Sequence, residues 1–478
     1  MSFLTKARER FEQLMKAKTS SGTADPQAGS PQREGSTHSS KDGNGSGSRS
    51  RRRPTGSSGQ LHSVLQSEFN ALSPPASPKG SAKSRATSPT LSTRTDDTSH
   101  SGRTTPASRA PPTIHENAVV ETLTEDTIDL EKLRRLCWGG CPNSFRAECW
   151  GVLTGYYPLT HANRVAFLSR KRSEYQSYVN SGYRNIDWDA LLSEDRGKDV
   201  DGANVGVEEV GIMKQIRKDL PRAGNIRVLH VERIQKIMER VLYIWALRHP
   251  ACGYVQGMND IVYPFLFVLL VDHVAACNGR ISYFCSMKTV EEAEEALGSL
   301  TDNEWQVIEA DLYWNLSRVL SQLQENYTFN QAGAHAMVKK LHELMKVVDP
   351  ALCRHLDRLS IQFPEFAFRW MNCLLLRELT PAQALRLWDT YLSEEDFSNF
   401  HVYVCCELLN RWSGHLQRFD DMAQALSFLQ SPPTFHFHDR DLDEITSSAF
   451  VLQQTYDKSF KHLLDDKNSH DGSVGASY

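Results

Sequence analysis

Absences in this 478-residue chain narrow its function before any motif is considered. No apolar run reaches the roughly 20 residues that cross a bilayer as a helix; the longest candidate, Ile261 to Val271, is far too short. The amino terminus is charged and lacks a continuous apolar segment, so no signal peptide is expected. There is no G-x-x-x-x-G-K-[ST] phosphate loop and no G-x-S-x-G elbow, which argues against a nucleotide-binding motif or a serine hydrolase within the chain itself. The 10 cysteines are scattered and sit mostly in apolar stretches, as buried thiols of a reducing compartment do. Cys137 and Cys141 have no second close pair in sequence, so no metal is expected there. The group His436, His438 and Asp439 follows Pro432 and Pro433 and reads as a surface loop rather than a metal site.

Strand-like alternation is scarce from Ile128 onward, and helical periodicity dominates. An all-α fold is expected, preceded by a long arm of different character. Residues 1–115 are rich in Ser, Thr, Gly, Pro, Arg and Lys and poor in aromatics, so they cannot bury enough apolar area to offset the entropy of ordering. The arm carries 17 Lys plus Arg against 8 Asp plus Glu, a net of +9; since the whole chain is −4, the remainder is −13. A basic arm on an acidic globule suits an anionic membrane surface or an acidic, regulatory phospho-binding partner, or serves solubility alone, and the acidic globule is no nucleic-acid binder. Ser30, Ser73, Ser77, Ser88 and Thr105 each precede Pro and are candidate phosphorylation sites. A short amphipathic helix is plausible over Ser2 to Lys18. The folded region is expected over 116–465, with a second disordered tail over 466–478.

The stretch Ile216 to Asp260 concentrates the chemistry. Ile216, Asp219 and Arg222 share one helical face until Pro221 disturbs the pattern, so Arg222 leaves the helix near its end. Apolar residues from Ile234 to Trp245 predict a buried helix that acts as a rigid spacer. Beyond it, Tyr254, Gln256, Gly257 and Asn259 crowd a polar turn. A cation at a helix end and an amide on a turn can converge on one point, and phosphoryl transfer can use both: Arg stabilises charge on phosphoryl oxygens, while an amide orients an attacking water. Elsewhere, Val290 to Leu297 reads as an acidic helical piece inside a surface connection spanning Gly279 to Leu300, with a second connection at Ser193 to Gly206. Trp305 to Leu323, Ala336 to Val348 and Phe363 to Leu379 read as core helices.

I-x-x-D-x-x-R and Y-x-Q-G, in this order, resemble the two finger motifs of the TBC domain, the GTPase-activating domain for Rab small GTPases. The resemblance extends to Arg134, Trp138, Gly139, Pro142, Arg146, Trp150 and Leu153, similar to the family's opening motif, and to LRLWDTYL from Leu385 to Leu392, similar to its R-x-W-D motif. Within the family, FAFRWMNCLLLREL from Phe366 and ENYTFNQ from Glu325 look closest to the Golgi-associated, Gyp-type branch that includes the family-member-22 proteins. The resemblance implies that Arg222 is an arginine finger, Gln256 a glutamine finger replacing the GTPase's own, and Asp219 the residue that holds Arg222, with Tyr254, Gly257 and Asn259 supporting them. It implies structural roles for Trp138, Pro142, Trp150, Arg386, Trp388 and Asp389. The chain would be an enzyme activator with no cofactor of its own, since GTP and Mg²⁺ come with the partner Rab; it would work in the cytoplasm at Golgi or endomembranes. One departure stands out: Arg222 is followed by Ala223, Gly224, Asn225 and Ile226, where the family has Thr and soon an aromatic. That departure keeps open a catalytically weakened adaptor, and an all-helical scaffold unrelated to GTPases is the third reading.

Overall fold

A computed structural model describes residues 113–193, 205–222, 226–328 and 330–471, with side chains described up to residue 457. The expected arm up to residue 112, residues 194–204 of the connection after Ser193 and most of the tail lie outside the described residues, while residues 113–115 of the expected arm cap and begin the first helix. Among those described the fold is all-α, with one isolated bridge between Thr127 and Thr160, and no helix is long and apolar enough to cross a membrane.

Local chemistry sets the helix starts. Thr113 caps α1 (Ile114–Thr124) and Asp129 caps α2 (Leu130–Cys137), each side chain accepting from the backbone N–H three residues on. α3 (Arg146–Leu153) and the long α4 (His161–Gly182) follow, then the short α5 (Trp188–Leu192), capped by Asp187. α6 (Val207–Asp219) ends in a tight turn, Leu220–Arg222, because Pro221 cannot supply the next helical N–H. α7 (Glu232–Arg248) and α8 (Met258–His273) form the spacer and the central helix. α9 (Ser282–Cys285) and α10 (Val290–Leu297) lie in the second connection. A capping box of Thr301 and Glu304 opens α11 (Asp302–Gln322), which α12 (Ala332–Val348), α13 (Pro350–Arg358) and α14 (Pro364–Cys373) follow. A second capping box, Thr380 with Gln383, opens α15 (Pro381–Ser393); α16 (Phe397–Leu416), α17 (Met422–Gln430) and α18 (Asp439–Asp471) complete the described residues.

α8 is the axis. Every residue from Met258 to Val271 is buried, an all-round apolar pattern that only a core helix can satisfy. It packs on α3, α7, α11, α14 and α15. At its middle the Phe265 ring meets Trp150 of α3 at 5.3 Å and Trp388 of α15 at 5.6 Å. Its amino terminus carries the glutamine turn, so the segment that presents Gln256 is anchored in the aromatic centre of the molecule.

Two expectations need revision. The stretch Phe363 to Leu379 is not one helix: α14 stops at Cys373, and Leu374 and Leu375 adopt left-handed conformations, φ 49° and 60°. The break lets Leu376 O accept from the Tyr263 hydroxyl at 3.1 Å and folds Arg377 back onto Asp260. The connection from Gly279 to Leu300 is also more than surface. Phe284, Ala293 and Leu297 are buried, and α10 packs on the turn Arg227–His230 that follows the arginine segment.

Candidate functional site

The site is built where α6 ends and α8 begins. Asp219, the last residue of α6, is 1% exposed. Its Oδ2 accepts from Gln215 Nε2 at 2.9 Å and from the Tyr254 hydroxyl at 3.2 Å. Its Oδ1 is buried without a hydrogen bond, and the guanidinium of Arg222 lies 3.9 Å from it. Arg222 itself is 56% exposed at the side chain. Contact at that distance with a half-exposed partner is electrostatic and loose, worth about 0–1 kcal/mol. Arg222 is biased in direction and remains free to leave.

Tyr254 joins the two segments. Burial and the neighbouring Asp219 carboxylate push its hydroxyl well above the ordinary tyrosine range, so it stays a donor. The hydroxyl also lies 3.4 Å from Asn259 Oδ1, which accepts from Gly257 N at 3.2 Å. Gly257 precedes α8 with φ 108°, a conformation L side chains rarely adopt. A Cβ there would sit 2.4 Å from Asn372 Nδ2. Gln256, one residue earlier, is exposed. Its carbonyl accepts from Asn372 Nδ2 at 2.8 Å, while its side chain makes no hydrogen bond among the described residues.

Asp219, Arg222, Tyr254, Gln256, Gly257 and Asn259 are therefore brought together, with Arg222 and Gln256 as the two exposed ends of one hydrogen-bonded frame. The arrangement offers one exposed cation and one exposed amide, donor and acceptor at once, with the buried Asp219 carboxylate beneath the cation.

Trp138, Pro142, Trp150, Arg386, Trp388 and Asp389 form a separate cluster. Asp389, 0% exposed, accepts from Cys141 N at 2.9 Å, Trp150 Nε1 at 2.7 Å, and Arg146 Nε and Nη2 at 3.1 Å each. Trp388 stacks on Trp150 at 6.2 Å. Trp138 donates from Nε1 to Glu394 at 2.7 Å, and its carbonyl accepts from Thr390. Arg386 donates to the Thr390 hydroxyl at 2.8 Å and pairs with Asp443. Pro142 O closes the turn into α3 by accepting from Phe145 N. The cluster fastens the α2–α3 segment to α15. Cys149 of α3 joins Cys137 and Cys141, their sulfurs within 4.8 Å of one another. Sequence spacing paired only two of these, because Cys149 reaches the others through folding.

Sequence reasoning missed four residues that hold the glutamine turn: Asn372, Gln331, Asp260 and Arg377. Asn372 Oδ1 accepts from Gln331 Nε2 at 3.1 Å. Asp260 accepts from Arg377 Nε at 3.0 Å, and burial raises its carboxyl above the usual range against the opposing pull of Arg377. Their contacts with the turn or with each other span 41 to 117 positions in sequence, so no local spacing signals them.

An all-α domain that presents an exposed arginine and an exposed glutamine on two segments joined by the Tyr254–Asp219 hydrogen bond is the class the geometry defines. The profile of the Rab-GTPase-TBC domain matches residues 143–417, more than half of the chain, and the chain belongs to that family. It is 38% identical over 335 residues to human TBC1 domain family member 22A, covering 70% of this chain and 59% of that one. The GTPase-activating protein gyp1 of Schizosaccharomyces pombe is 36% identical, covering 70% and 60%. This chain thus spans about three fifths of the length of these relatives. The crystal structure of the Ypt/Rab-GAP domain of Gyp1p is similar with a TM-score of 0.63 and 32% identity, over 72% of this chain and 98% of that one.

Proposed function

We propose that this chain is a GTPase-activating protein for a Rab-family small GTPase, binding the GTP-loaded partner and completing its active site in trans. Arg222 enters the partner's site and offsets charge developing on the transferring phosphoryl oxygens, and Gln256 orients the attacking water. GTP and Mg²⁺ arrive with the partner. The observation that carries the reading is the pairing of two exposed side chains, Arg222 and Gln256, on segments tied by the Tyr254–Asp219 hydrogen bond, in a member of the Rab-GTPase-TBC family. Membership supports a role in vesicle traffic at Golgi or other endomembranes, with the basic arm engaging an anionic surface or a phospho-binding regulator. The departure after Arg222, where Ala223 replaces the family's Thr, favours an adaptor with weakened catalysis as the second reading.

Single-turnover GTP hydrolysis across a panel of Rab proteins separates the two. Acceleration by the wild type that is lost in both Arg222→Ala and Gln256→Ala supports the activator. The double variant should be little worse than the poorer single one, because both groups stabilise one transition state. A wild type that binds a GTP-loaded Rab without accelerating hydrolysis supports the adaptor.

A further inference from the structure

Gln256 works only if its backbone holds still, and the turn that carries it has few internal bonds. Gly257 N donates to Asn259 Oδ1 and Met258 N to Val255 O. The carbonyl of Gln256 is held from outside the turn by Asn372 Nδ2 at 2.8 Å. Asn372 is itself 6% exposed and bonded on every side. Its Oδ1 accepts from Gln331 Nε2 at 3.1 Å, and its carbonyl accepts from the Tyr327 hydroxyl at 2.7 Å. Gln331 immediately precedes α12 in a left-handed conformation, φ 45°, and Asn372 stands one residue before the end of α14. The same Nδ2 lies so close to Gly257 that any Cβ there would displace the Asn372 amide.

We infer that Asn372 is a positioning residue for the glutamine finger, clamping the Gln256 carbonyl so that its side chain reaches the partner's nucleophilic water. The inference deepens the activator reading and rests on it for the catalytic consequence only. An amide is required because the position needs a donor toward Gln256 and an acceptor toward Gln331 in one planar group. Asn372→Asp preserves volume and the acceptor and places a carboxylate oxygen against the Gln256 carbonyl, turning attraction into repulsion. Asn372→Gln keeps both functions with one extra methylene in a packed site.

Two measurements test this. The first is hydrogen exchange at the Gly257 and Met258 amides in the full chain without any partner. Asn372→Asp should exchange faster there than the wild type, while α7 stays protected; equal exchange overturns the inference whatever the activity. The second is single-turnover hydrolysis with a responsive GTP-loaded Rab. Asn372→Asp should lower the rate at saturating activator by about 10- to 10²-fold, the scale of a small misplacement at a reacting centre, and leave the half-saturating concentration unchanged. In a Gln256→Ala background the same substitution should change nothing further. An undiminished rate, or an equal further loss in the Gln256→Ala background, identifies Asn372 as structural only. If the wild type accelerates no Rab, the activator reading fails while the exchange result still decides whether Asn372 holds the turn.

Discussion

Asp219 and Asp389 are both aspartates, both at most 1% exposed, and they do opposite things. Asp389 accepts from a backbone N–H, an indole and an arginine, so its charge is fully answered inside the protein. Asp219 leaves one oxygen without a hydrogen bond, facing an arginine 3.9 Å away that is mostly in solvent. The completely satisfied carboxylate joins distant parts of the chain. The incompletely satisfied one keeps a cation in place without consuming it. Burial alone does not tell the two apart; the number of answered lone pairs does.

The comparison breaks most visibly at Arg222. Arg222→Lys should lose most of the acceleration, out of the roughly 10³ to 10⁵ that arginine fingers supply, because an ammonium lacks the planar fork that contacts two oxygens. The urea midpoint should match the wild type, since the residue contributes little to the fold. Wild-type single-turnover rates in this variant would remove Arg222 from the mechanism.

At the other aspartate the balance reverses. Asp389→Ala strands the largely buried Arg146, and a buried pair broken on one side costs about 3–5 kcal/mol. Chemical unfolding should record that loss; an unchanged midpoint contradicts the fastening role.

Acid should act on the packing of α16 against α14 and α15. His401 of α16 is fully buried, with Nδ1 accepting from the Tyr391 hydroxyl at 2.6 Å and Nε2 donating to the Trp370 carbonyl at 3.0 Å. Burial pulls it from the ordinary 6.5 down to about 4. The native state stays neutral while the unfolded chain takes a proton near pH 6.5, so this group's contribution falls as pH drops from about 6.5 to 4, by roughly 3 kcal/mol in all. Urea midpoints followed across that window should decline more steeply in the wild type than in His401→Gln; parallel curves would contradict it.

The smallest effect sharpens the comparison at Asp219. Asp219→Asn keeps an acceptor for Tyr254 and removes the charge facing Arg222. About a fivefold loss of stimulated rate, near 1 kcal/mol, with binding unchanged, is expected in the single-turnover assay, and a loss as large as that of Arg222→Ala would mean that Asp219 does more than orient.

Much of this was legible in the sequence because it is periodic. The buried run Ile234 to Trp245 lies within α7, and the acidic piece at Val290 to Leu297 is α10 residue for residue. Arg222 leaving the helix followed from Pro221. What periodicity hid were conformations that leave the pattern unchanged: nothing in Leu374 or Leu375 announces a left-handed turn, so α14 read as continuous to Leu379. Asn372 and Gln331 were silent for another reason. An amide in an apolar stretch shows its partners only once α8, α12 and α14 meet.

That left-handed pair of leucines carries a further meaning. Each is held in a conformation that costs a non-glycine residue about 1–2 kcal/mol, and the surrounding packing sustains it in the unliganded chain. Letting α14 continue would instead carry Leu376 and Arg377 away from Tyr263 and Asp260, the two contacts that tie this segment to α8. The bond from Asn372 to the Gln256 carbonyl is likewise made within the chain itself, and a turn ordered at folding would spare the proposed encounter that entropy.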